Sequence, residues 1–182
     1  MVYITFNFYI QPKTIFEIGS FCGGEAKDLK LKYPDARVIT YEIDPKKHDS
    51  VKHTTKNYNI EFMPYGLSNR SGRQMFYKFT GYKNDGADSL FPRYNGDMKL
   101  APYEVQVSTL KEEMQKLNIE TIDLLCLDTQ GSELNILKGL EERIKDVNNI
   151  ILEMPDIKCD TSQFKIPKNK DSVYNGAGTS IE

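Results

Sequence analysis

Strand-like and helix-like segments alternate along this chain, and that alternation constrains the fold more than any other feature of the sequence. Strand-like stretches cover 14–19, 38–43, 60–67, 74–79, 122–127 and 150–152, and helix-like segments follow the first, second and fifth of them. Strands joined through helices form parallel sheets with right-handed crossovers, and such sheets bind ligands at the carboxyl ends of their strands. The pattern therefore predicts an α/β fold with an open, mostly parallel sheet flanked by helices.

Capping residues predict where several helices begin. Asp44 is a good N-cap and Pro45 suits the first helical position, so a helix is expected to start at Pro45. Thr109 and Glu112 fit a capping box at the start of another helix. Ser132 can cap a later helix, whose apolar stripe consists of Leu137, Leu140, Ile144 and Val147.

The length of 182 residues, of which 39% are hydrophobic, fits one globular domain with a buried core. We expect a single domain over 1–182, with its core at about 14–155. The stretch 80–102 is rich in Gly, Pro, Asn and Asp, and we interpret it as an irregular substrate-side loop, because long connections in compact domains are usually functional or disordered. The segment 156–182 is polar, so the C-terminal strand pair of such a sheet is expected to be missing.

Charge and cysteine content argue against several classes of protein. The formal net charge of −2 gives no overall field that would attract a nucleic acid or an anionic membrane, and no run of about 18 apolar residues could span a bilayer. Cys22, Cys126 and Cys159 are odd in number and far apart, which argues against a disulfide framework and against a zinc site. We therefore expect a cytoplasmic protein with no resident metal and with neither nucleic acid nor membrane as a partner.

The segment from Glu17 to Gly23 is the strongest candidate for a ligand-binding loop. It joins the first strand to the first helix with the spacing E-x-G-x-x-x-G, and it contains Ser20 and Phe21. Gly19 and Gly23 allow a ligand to approach the backbone, and the helix N-terminus beyond offers N–H groups to a carboxylate. A dinucleotide site needs G-x-G-x-x-G without a bulky residue at position 21, so a methionine-sulfonium cofactor fits better. A purely structural turn is the alternative.

Acidic residues follow later strands of the same sheet. Glu42 ends the second strand, where a carboxylate can accept hydrogen bonds from two ribose hydroxyls, although a solvated strand-end glutamate is the alternative. Asp128 follows the apolar run 124–127 and should reach the same crevice, because parallel strands share their carboxyl edge. Asp128 can orient a substrate hydroxyl or take its proton, and Glu153 after the next strand is a second candidate base. Glu133 is either a site residue or a first-turn acid that interacts with the helix dipole.

In this order the segments resemble the FkbM family of methyltransferases, over about residues 14–178. The resemblance rests on 16–19, 41–45, 66–68, 88–90 and 107–110, and on a block formed by 122–124, 128–133 and 137–139. It implies a Rossmann-like fold of the class I methyltransferase type, with S-adenosyl-L-methionine as the cofactor. It also adds Ile43, Gly66 and Leu67 to the cofactor-binding residues, and Ser89, Gln130 and Glu133 to the substrate side.

The resemblance also implies an activity. FkbM-like proteins are similar to sugar and polyketide O-methyltransferases, so the acceptor is expected to be a hydroxyl of a sugar, a glycan or a small metabolite. Cys126 stands where the family often has Lys, and Gln130 where it often has Glu, so a lost lysine would weaken charge stabilisation. A catalytically inactive, methyltransferase-like binding module is therefore the alternative. A homodimer that covers the unfinished sheet is a further hypothesis.

Overall fold

The computed structural model describes residues 10–80, 88–92 and 99–152. In chain order the elements are β1 (Thr14–Ile18), α1 (Gly24–Lys32), β2 (Arg37–Tyr41), α2 (His48–Thr55), β3 (Ile60–Met63), β4 (Gly66–Leu67), β5 (Gly72–Thr80), β6 (Lys99–Ser108), α3 (Leu110–Lys116), β7 (Leu124–Leu127), α4 (Glu133–Lys138), a 3-10 helix (Glu141–Asp146) and β8 (Ile150–Leu152). None of the helices in these ranges is long and apolar enough to cross a bilayer. Glu153 and the polar segment 156–182 lie outside the described residues.

Within the described residues, five strands form the central sheet in the order β3-β2-β1-β7-β8, and every neighbouring pair is parallel. The chain winds outward from β1 through β2 and β3, and then returns to the other side of β1 to add β7 and β8. The strand order therefore reverses between β1 and β7, and open α/β sheets bind their ligands at the carboxyl ends beside such a reversal. The predicted parallel sheet with flanking helices is confirmed.

Both faces of the central sheet are buried. Phe16 and Ile18 of β1 belong to a hydrophobic cluster that includes residues of α3 and α4, whereas Ile15 belongs to a second cluster with Ala26 of α1. Because successive side chains of a strand point to opposite faces, a strand that is covered on both sides needs apolar residues throughout. This explains the continuous apolar run in β7.

Three strands form a second, smaller sheet in the order β4-β6-β5, with β5 and β6 antiparallel. The irregular loop predicted over 80–102 is therefore wrong at its end, where 99–102 belongs to β6. The sequence Lys-Leu-Ala-Pro shows no clean alternation there, and these residues become a strand through their pairing with 77–80. The predicted stretch 60–67 is likewise divided, since β3 lies in the central sheet and β4 in the small one.

The helix expected to begin at Pro45 begins at His48 instead. Asp44 closes a turn before it: its carboxylate accepts a hydrogen bond from the N–H of Lys46, and its carbonyl oxygen accepts one from the N–H of Lys47, both at 2.9 Å. The side chain that we predicted as a helix cap therefore stabilises a turn at the end of β2.

The predicted caps of the later helices have different outcomes. Thr109 caps α3 as predicted, because its hydroxyl oxygen accepts a hydrogen bond from the N–H of Glu112 at 3.2 Å. Ser132 precedes α4, but its side chain makes no capping hydrogen bond. The predicted apolar stripe over 137–147 is divided between α4 and the 3-10 helix, because Glu141 has a φ of 51° and a left-handed residue cannot continue an α-helix.

Candidate active site

A cavity of about 320 Å³ opens at the carboxyl ends of β1, β2 and β7. It lies where the strand order reverses, and its volume falls in the range of small-molecule sites. The predicted site residues that line it are Gly19, Phe21, Glu42, Ile43, Gly66, Leu67, Asp128 and Gln130. Five others do not line it, namely Glu17, Ser20, Gly23, Ser89 and Glu133, and Glu153 lies outside the described residues.

The Glu42 carboxylate is buried at the wall of the cavity and is held by two backbone N–H groups. Its Oε2 accepts a hydrogen bond from the N–H of Phe21, and its Oε1 accepts one from the N–H of Asp44, both at 2.7 Å. Burial raises the pKa of this carboxyl, although the two N–H groups and the nearby Lys47 ammonium oppose the shift. Each oxygen can accept a second hydrogen bond, so Glu42 retains acceptor capacity for two hydroxyl groups in the cavity.

The loop between β1 and α1 turns through left-handed residues, with φ values of 100° at Gly19, 54° at Phe21 and 83° at Gly23. A Cβ atom at Gly19 would lie 1.9 Å from the main-chain oxygen of Asp128, so only glycine allows the loop to pack against the end of β7. The Phe21 ring is 45% exposed at the cavity, and the Lys47 ammonium lies 4.0 Å from its centroid. The loop therefore presents an aromatic face to the cavity.

Glu17 lies beneath this loop, outside the cavity lining. Its side chain is almost completely buried and accepts a hydrogen bond from the Thr40 hydroxyl. Burial is the main cause that raises the pKa of this carboxyl to about 8. Ser20 is also buried, and its N–H donates to the carbonyl oxygen of Tyr41 at 3.0 Å. These two predicted cofactor residues support the loop from within the fold.

Asp128 is half-buried at the cavity wall, directly after β7. Its N–H donates to the carbonyl oxygen of Ile18 at 3.0 Å, which fixes its backbone to the end of β1. Its Oδ1 accepts a hydrogen bond from the Gln130 side-chain amide at 2.7 Å. Gln130 has a left-handed φ of 55°, so the chain turns sharply at this residue. The Asp128 carboxylate is thus oriented by its own loop while it faces the cavity.

Ser89 and Glu133, which were predicted on the substrate side, shape the loop that follows β7. The Ser89 hydroxyl donates to the carbonyl oxygen of Gln130 at 2.9 Å. The Glu133 carboxylate accepts hydrogen bonds from the N–H of Thr129 and from the N–H of Gly131, both at 2.9 Å. These contacts favour a structural role for both side chains, because each is bonded to the loop rather than directed into the cavity.

Sequence analysis missed a group of buried charges at the cavity, of which Lys47 and Asp88 line it. Lys78 Nζ lies 2.8 Å from a carboxylate oxygen of Asp44 and 3.4 Å from one of Asp88, and Lys47 Nζ lies 3.9 Å from that same Asp88 oxygen. Burial opposes ionisation of Asp44, but hydrogen bonds from Lys78 and from the Tyr103 hydroxyl contribute to a pKa below its usual value. These residues come from separate segments, so no spacing in the sequence marks them as a group.

Apolar side chains from the small sheet and from segment 88–92 complete the cavity. Phe76 of β5 and Leu90 line it. Phe76 packs edge-to-face against Tyr103 with ring centroids 5.5 Å apart, and both belong with Ile43 to one hydrophobic cluster. Sequence periodicity indicated that Phe76 lies in a strand, but it could not indicate that this strand belongs to a second sheet beside the cavity.

Cys126, which stands where the family often has Lys, does not line the cavity. It is buried in the cluster on the α1 side of the sheet and lies in register with Glu17 on the neighbouring strand. Burial raises the pKa of its thiol. The Cys126 side chain therefore lies on the same face of the sheet as Glu17, and the expectation that a lost lysine weakens charge stabilisation stays a prediction.

Over 10–80, 88–92 and 99–152, no group of three or more His, Cys, Asp and Glu side chains is arranged to hold a metal ion. Glu153, the second candidate base, lies outside these ranges.

Comparison with known proteins identifies the family. The family model for the methyltransferase FkbM domain matches residues 23–170, which is most of the chain. The chain belongs to the methyltransferase FkbM family. The match includes Glu42 and Asp128 and begins at Gly23, the last residue of the predicted cofactor loop. The predicted family is thus confirmed.

The relatives of this FkbM-family chain are similar to it at low identity. It is 23% identical over 158 residues to "2-O-methyltransferase NoeI" of Sinorhizobium fredii, covering 78% of this chain and 63% of that protein. It is 22% identical over 169 residues to "Methyltransferase 1" of Beauveria bassiana, covering 83% of this chain and 68% of that protein. The chain thus spans about two thirds of the length of these relatives.

A solved structure supports the fold. The crystal structure of methyltransferase FkbM from Methylobacillus flagellatus KT matches with a TM-score of 0.53 at 14% identity. The match covers 78% of this chain and 32% of that one. This similarity supports an α/β fold of the methyltransferase type.

Proposed function

We propose that this chain is an S-adenosylmethionine-dependent O-methyltransferase that acts on a hydroxyl of a sugar, a glycan or a small metabolite. The observation that carries the proposal is that Glu42 and Asp128 both line one cavity, at the ends of the two strands that flank β1. Transfer of a methyl group to a hydroxyl requires a bound donor and a nearby proton acceptor in one fixed arrangement. Glu42 can bind the donor and Asp128 can accept the proton, and each follows a separate rigid strand.

The residues around the cavity fit the proposed cofactor. Glu42 retains acceptor capacity for two ribose hydroxyls, and Ile43 and Leu67 offer apolar surface to a purine ring. A Cβ atom at Gly66 would lie 2.4 Å from Ile43 Cδ1, so glycine at 66 permits the close packing of this wall. When bound, S-adenosylmethionine supplies an electrophilic methyl group on a sulfonium centre.

Asp128 is the proposed proton acceptor. With the cofactor bound, the Asp128 carboxylate would accept the hydroxyl proton as the hydroxyl oxygen takes the methyl group, and the demethylated cofactor would be the leaving group. The Gln130 amide, 2.7 Å from Oδ1, holds the carboxylate in one orientation during this step. A positioned base of this kind typically contributes about 10²- to 10⁴-fold to the rate. Glu153 remains the alternative base from the sequence.

The charges near the cavity favour an uncharged acceptor. The Lys47 ammonium lies 3.9 Å from the Asp88 carboxylate, and Lys78 lies within ion-pair distance of both Asp44 and Asp88. An anionic acceptor would have to compete with these carboxylates for the ammonium groups, and separation of a buried ion pair is costly. The relative NoeI is named a 2-O-methyltransferase, which supports oxygen as the acceptor atom.

A methyltransferase-like module that binds without turnover is the competing hypothesis. Its support from the sequence included Cys126, and that side chain lies outside the cavity lining. A cytoplasmic setting and a homodimer remain predictions from the sequence.

Calorimetry with S-adenosylmethionine and a radiolabelled methyl-transfer assay on a panel of sugars and small alcohols test the proposal. We expect Asp128→Asn to retain cofactor affinity and to lose about 10²-fold or more in rate. Asp49→Asn is the matched control, because this aspartate is exposed on α2. Full activity of Asp128→Asn would exclude Asp128 as the base. Cofactor binding without turnover of any acceptor would favour the binding module.

A further inference from the structure

A chain of contacts links the Glu42 carboxylate to the small sheet. The N–H groups of Phe21 and Asp44 donate to the two oxygens of Glu42, both at 2.7 Å. The Asp44 side chain extends the chain, because its carboxylate lies 2.8 Å from the Lys78 ammonium of β5. One residue, Asp44, thus bonds Glu42 through its backbone and Lys78 through its side chain.

The contacts then return to their starting point. From Lys78 the next contact is to Asp88 at 3.4 Å, and Asp88 lies 3.9 Å from Lys47. The Lys47 ammonium lies 4.0 Å from the centroid of the Phe21 ring. The contacts therefore form a closed ring around the end of β2. This ring joins four parts of the fold: the cofactor loop, the turn that follows β2, strand β5 and segment 88–92.

The four side chains of this ring that form ion pairs are largely buried. Their exposed fractions are 0% for Asp44, 3% for Asp88, 14% for Lys47 and 16% for Lys78. The two lysines balance Asp44 and Asp88 in formal charge, and the buried Glu42 carboxylate adds one further negative group to the ring. Loss of one partner of a buried pair leaves an uncompensated charge, which is strongly unfavourable, so the ring is expected to hold together as one unit.

The ring also reaches the acceptor side of the cavity through segment 88–92. Asp88 anchors this segment to the two lysines, and the neighbouring Ser89 hydroxyl donates to the carbonyl oxygen of Gln130 at 2.9 Å. The Gln130 amide in turn orients Asp128. A displacement of segment 88–92 would therefore change both the ion pairs of the ring and the orientation of Asp128.

We propose that Lys78 is a positioning residue for the cofactor: it acts through Asp44 and Asp88 to hold the Glu42 carboxylate and segment 88–92 in their binding geometry. Lys78 does not itself line the cavity, yet it contacts the carboxylates of both Asp44 and Asp88. This inference rests on the proposed function, because Glu42 is the proposed ribose ligand.

The test compares Lys78→Met, Lys78→Arg and Arg73→Met. Arg73→Met is the matched control, because Arg73 lies on the same strand and forms an exposed ion pair with Glu104. We expect Lys78→Met to weaken S-adenosylmethionine binding about tenfold or more, as for the loss of charge-assisted hydrogen bonds, and Lys78→Arg to restore most of it. The KM for the cofactor should rise by a larger factor than kcat falls. The control should match the wild type.

Amide hydrogen exchange without cofactor separates this inference from the proposed function. In Lys78→Met the amides of Phe21 and Ser89 should exchange faster than in the wild type, whereas the amide of Leu125 in β7 should be unchanged. If the wild type binds no S-adenosylmethionine, the proposed function fails, and this exchange pattern alone decides whether Lys78 holds the ring.

Unchanged cofactor affinity in folded Lys78→Met would overturn the inference when the wild type binds the cofactor. If the wild type does not bind the cofactor, unchanged amide exchange at Phe21 and Ser89 in Lys78→Met would overturn the inference. Should Lys78→Met fail to fold, Lys78→Gln takes its place in both measurements with the same expected results, because the amide keeps a hydrogen-bond donor near Asp44 without the charge.

Discussion

The backbone at Gly19 packs directly against the main-chain carbonyl of Asp128, whose oxygen would lie 1.9 Å from a Cβ atom at position 19. The proposed cofactor loop and the proposed base are therefore in contact through their backbones, with no room for a side chain between them. Gly19 also has a φ of 100°, which other residues rarely adopt. A single glycine thus sets the distance between the two functional parts of the cavity.

Gly19→Ala should both strain the loop and displace Asp128. We expect a loss of roughly 2 to 4 kcal/mol in the free energy of unfolding, together with a large loss of methyl transfer. Gly72→Ala is the matched control, because Gly72 has a φ of 123° but no atom within 4 Å of its Cβ position. Its loss should be limited to the backbone strain of about 1 to 3 kcal/mol and should leave activity intact. Denaturant titration measures both variants, and equal activity in the two would contradict a role for the contact with Asp128.

Glu42 should tolerate neither loss of the carboxylate nor its replacement by an amide. Both oxygens accept backbone hydrogen bonds, so in Glu42→Gln the amide NH₂ would face the N–H of Phe21 or of Asp44. We expect Glu42→Gln and Glu42→Ala each to weaken S-adenosylmethionine binding about tenfold or more. Glu104→Gln, at an exposed glutamate of β6, serves as the control in the same calorimetric titrations. Wild-type affinity in a folded Glu42→Ala variant would exclude the ribose role.

Glu17 should make the protein less stable as the pH rises. Its folded pKa of about 8 lies above the ordinary value of 4.5, mainly because the carboxyl is buried. Between these two values the unfolded carboxyl releases its proton while the folded one keeps it, so the unfolding free energy falls by up to about 1.4 kcal/mol per pH unit. Glu17→Gln keeps an oxygen acceptor for Thr40 and cannot titrate.

The stability of Glu17→Gln relative to the wild type should therefore increase from about pH 5 to about pH 8 and level off above the folded pKa. Denaturant titrations at unit pH intervals measure the difference. Subtraction removes the contributions of other carboxyls, including Glu42, whose pKa is also raised by burial. A difference that does not vary with pH would show that Glu17 titrates at its ordinary value.

The edge of the sheet that carries the site could be predicted, because the apolar pattern of each strand is local and periodic and shows where the strand ends. Glu42 and Asp128 each follow a buried parallel strand, and any residue in that position must emerge at the carboxyl edge. Glu17 shows the limit of this argument. It lies one residue before the end of its strand, and the period of two directs its side chain to the α1 face and away from the cavity.

The closed ring of contacts around the end of β2 could not be predicted from the sequence, because tertiary packing brings its residues together. Lys78 reaches Asp44 and Asp88 only because β5 and β6 form a hairpin beside the cavity. The start of β6 is hidden in the sequence by Pro102, so its first residues, 99–102, fall within the predicted irregular loop. Strand pairing between distant segments decided both features, and no local propensity reports such pairing.

Glu133 should affect the rate of methyl transfer more than cofactor binding. Its carboxylate accepts hydrogen bonds from the N–H groups of Thr129 and Gly131, which shape the loop that presents the proposed base, Asp128. In Glu133→Gln the amide NH₂ would face at least one of these donors, at a cost of about 1 to 3 kcal/mol for the unpaired group. We expect kcat to fall while the calorimetric affinity for S-adenosylmethionine stays unchanged, because the ribose side of the cavity is untouched.

Glu141→Gln, at an exposed glutamate in the following 3-10 helix, is the control. Reduced cofactor affinity with unchanged kcat would instead assign Glu133 to the cofactor side of the cavity.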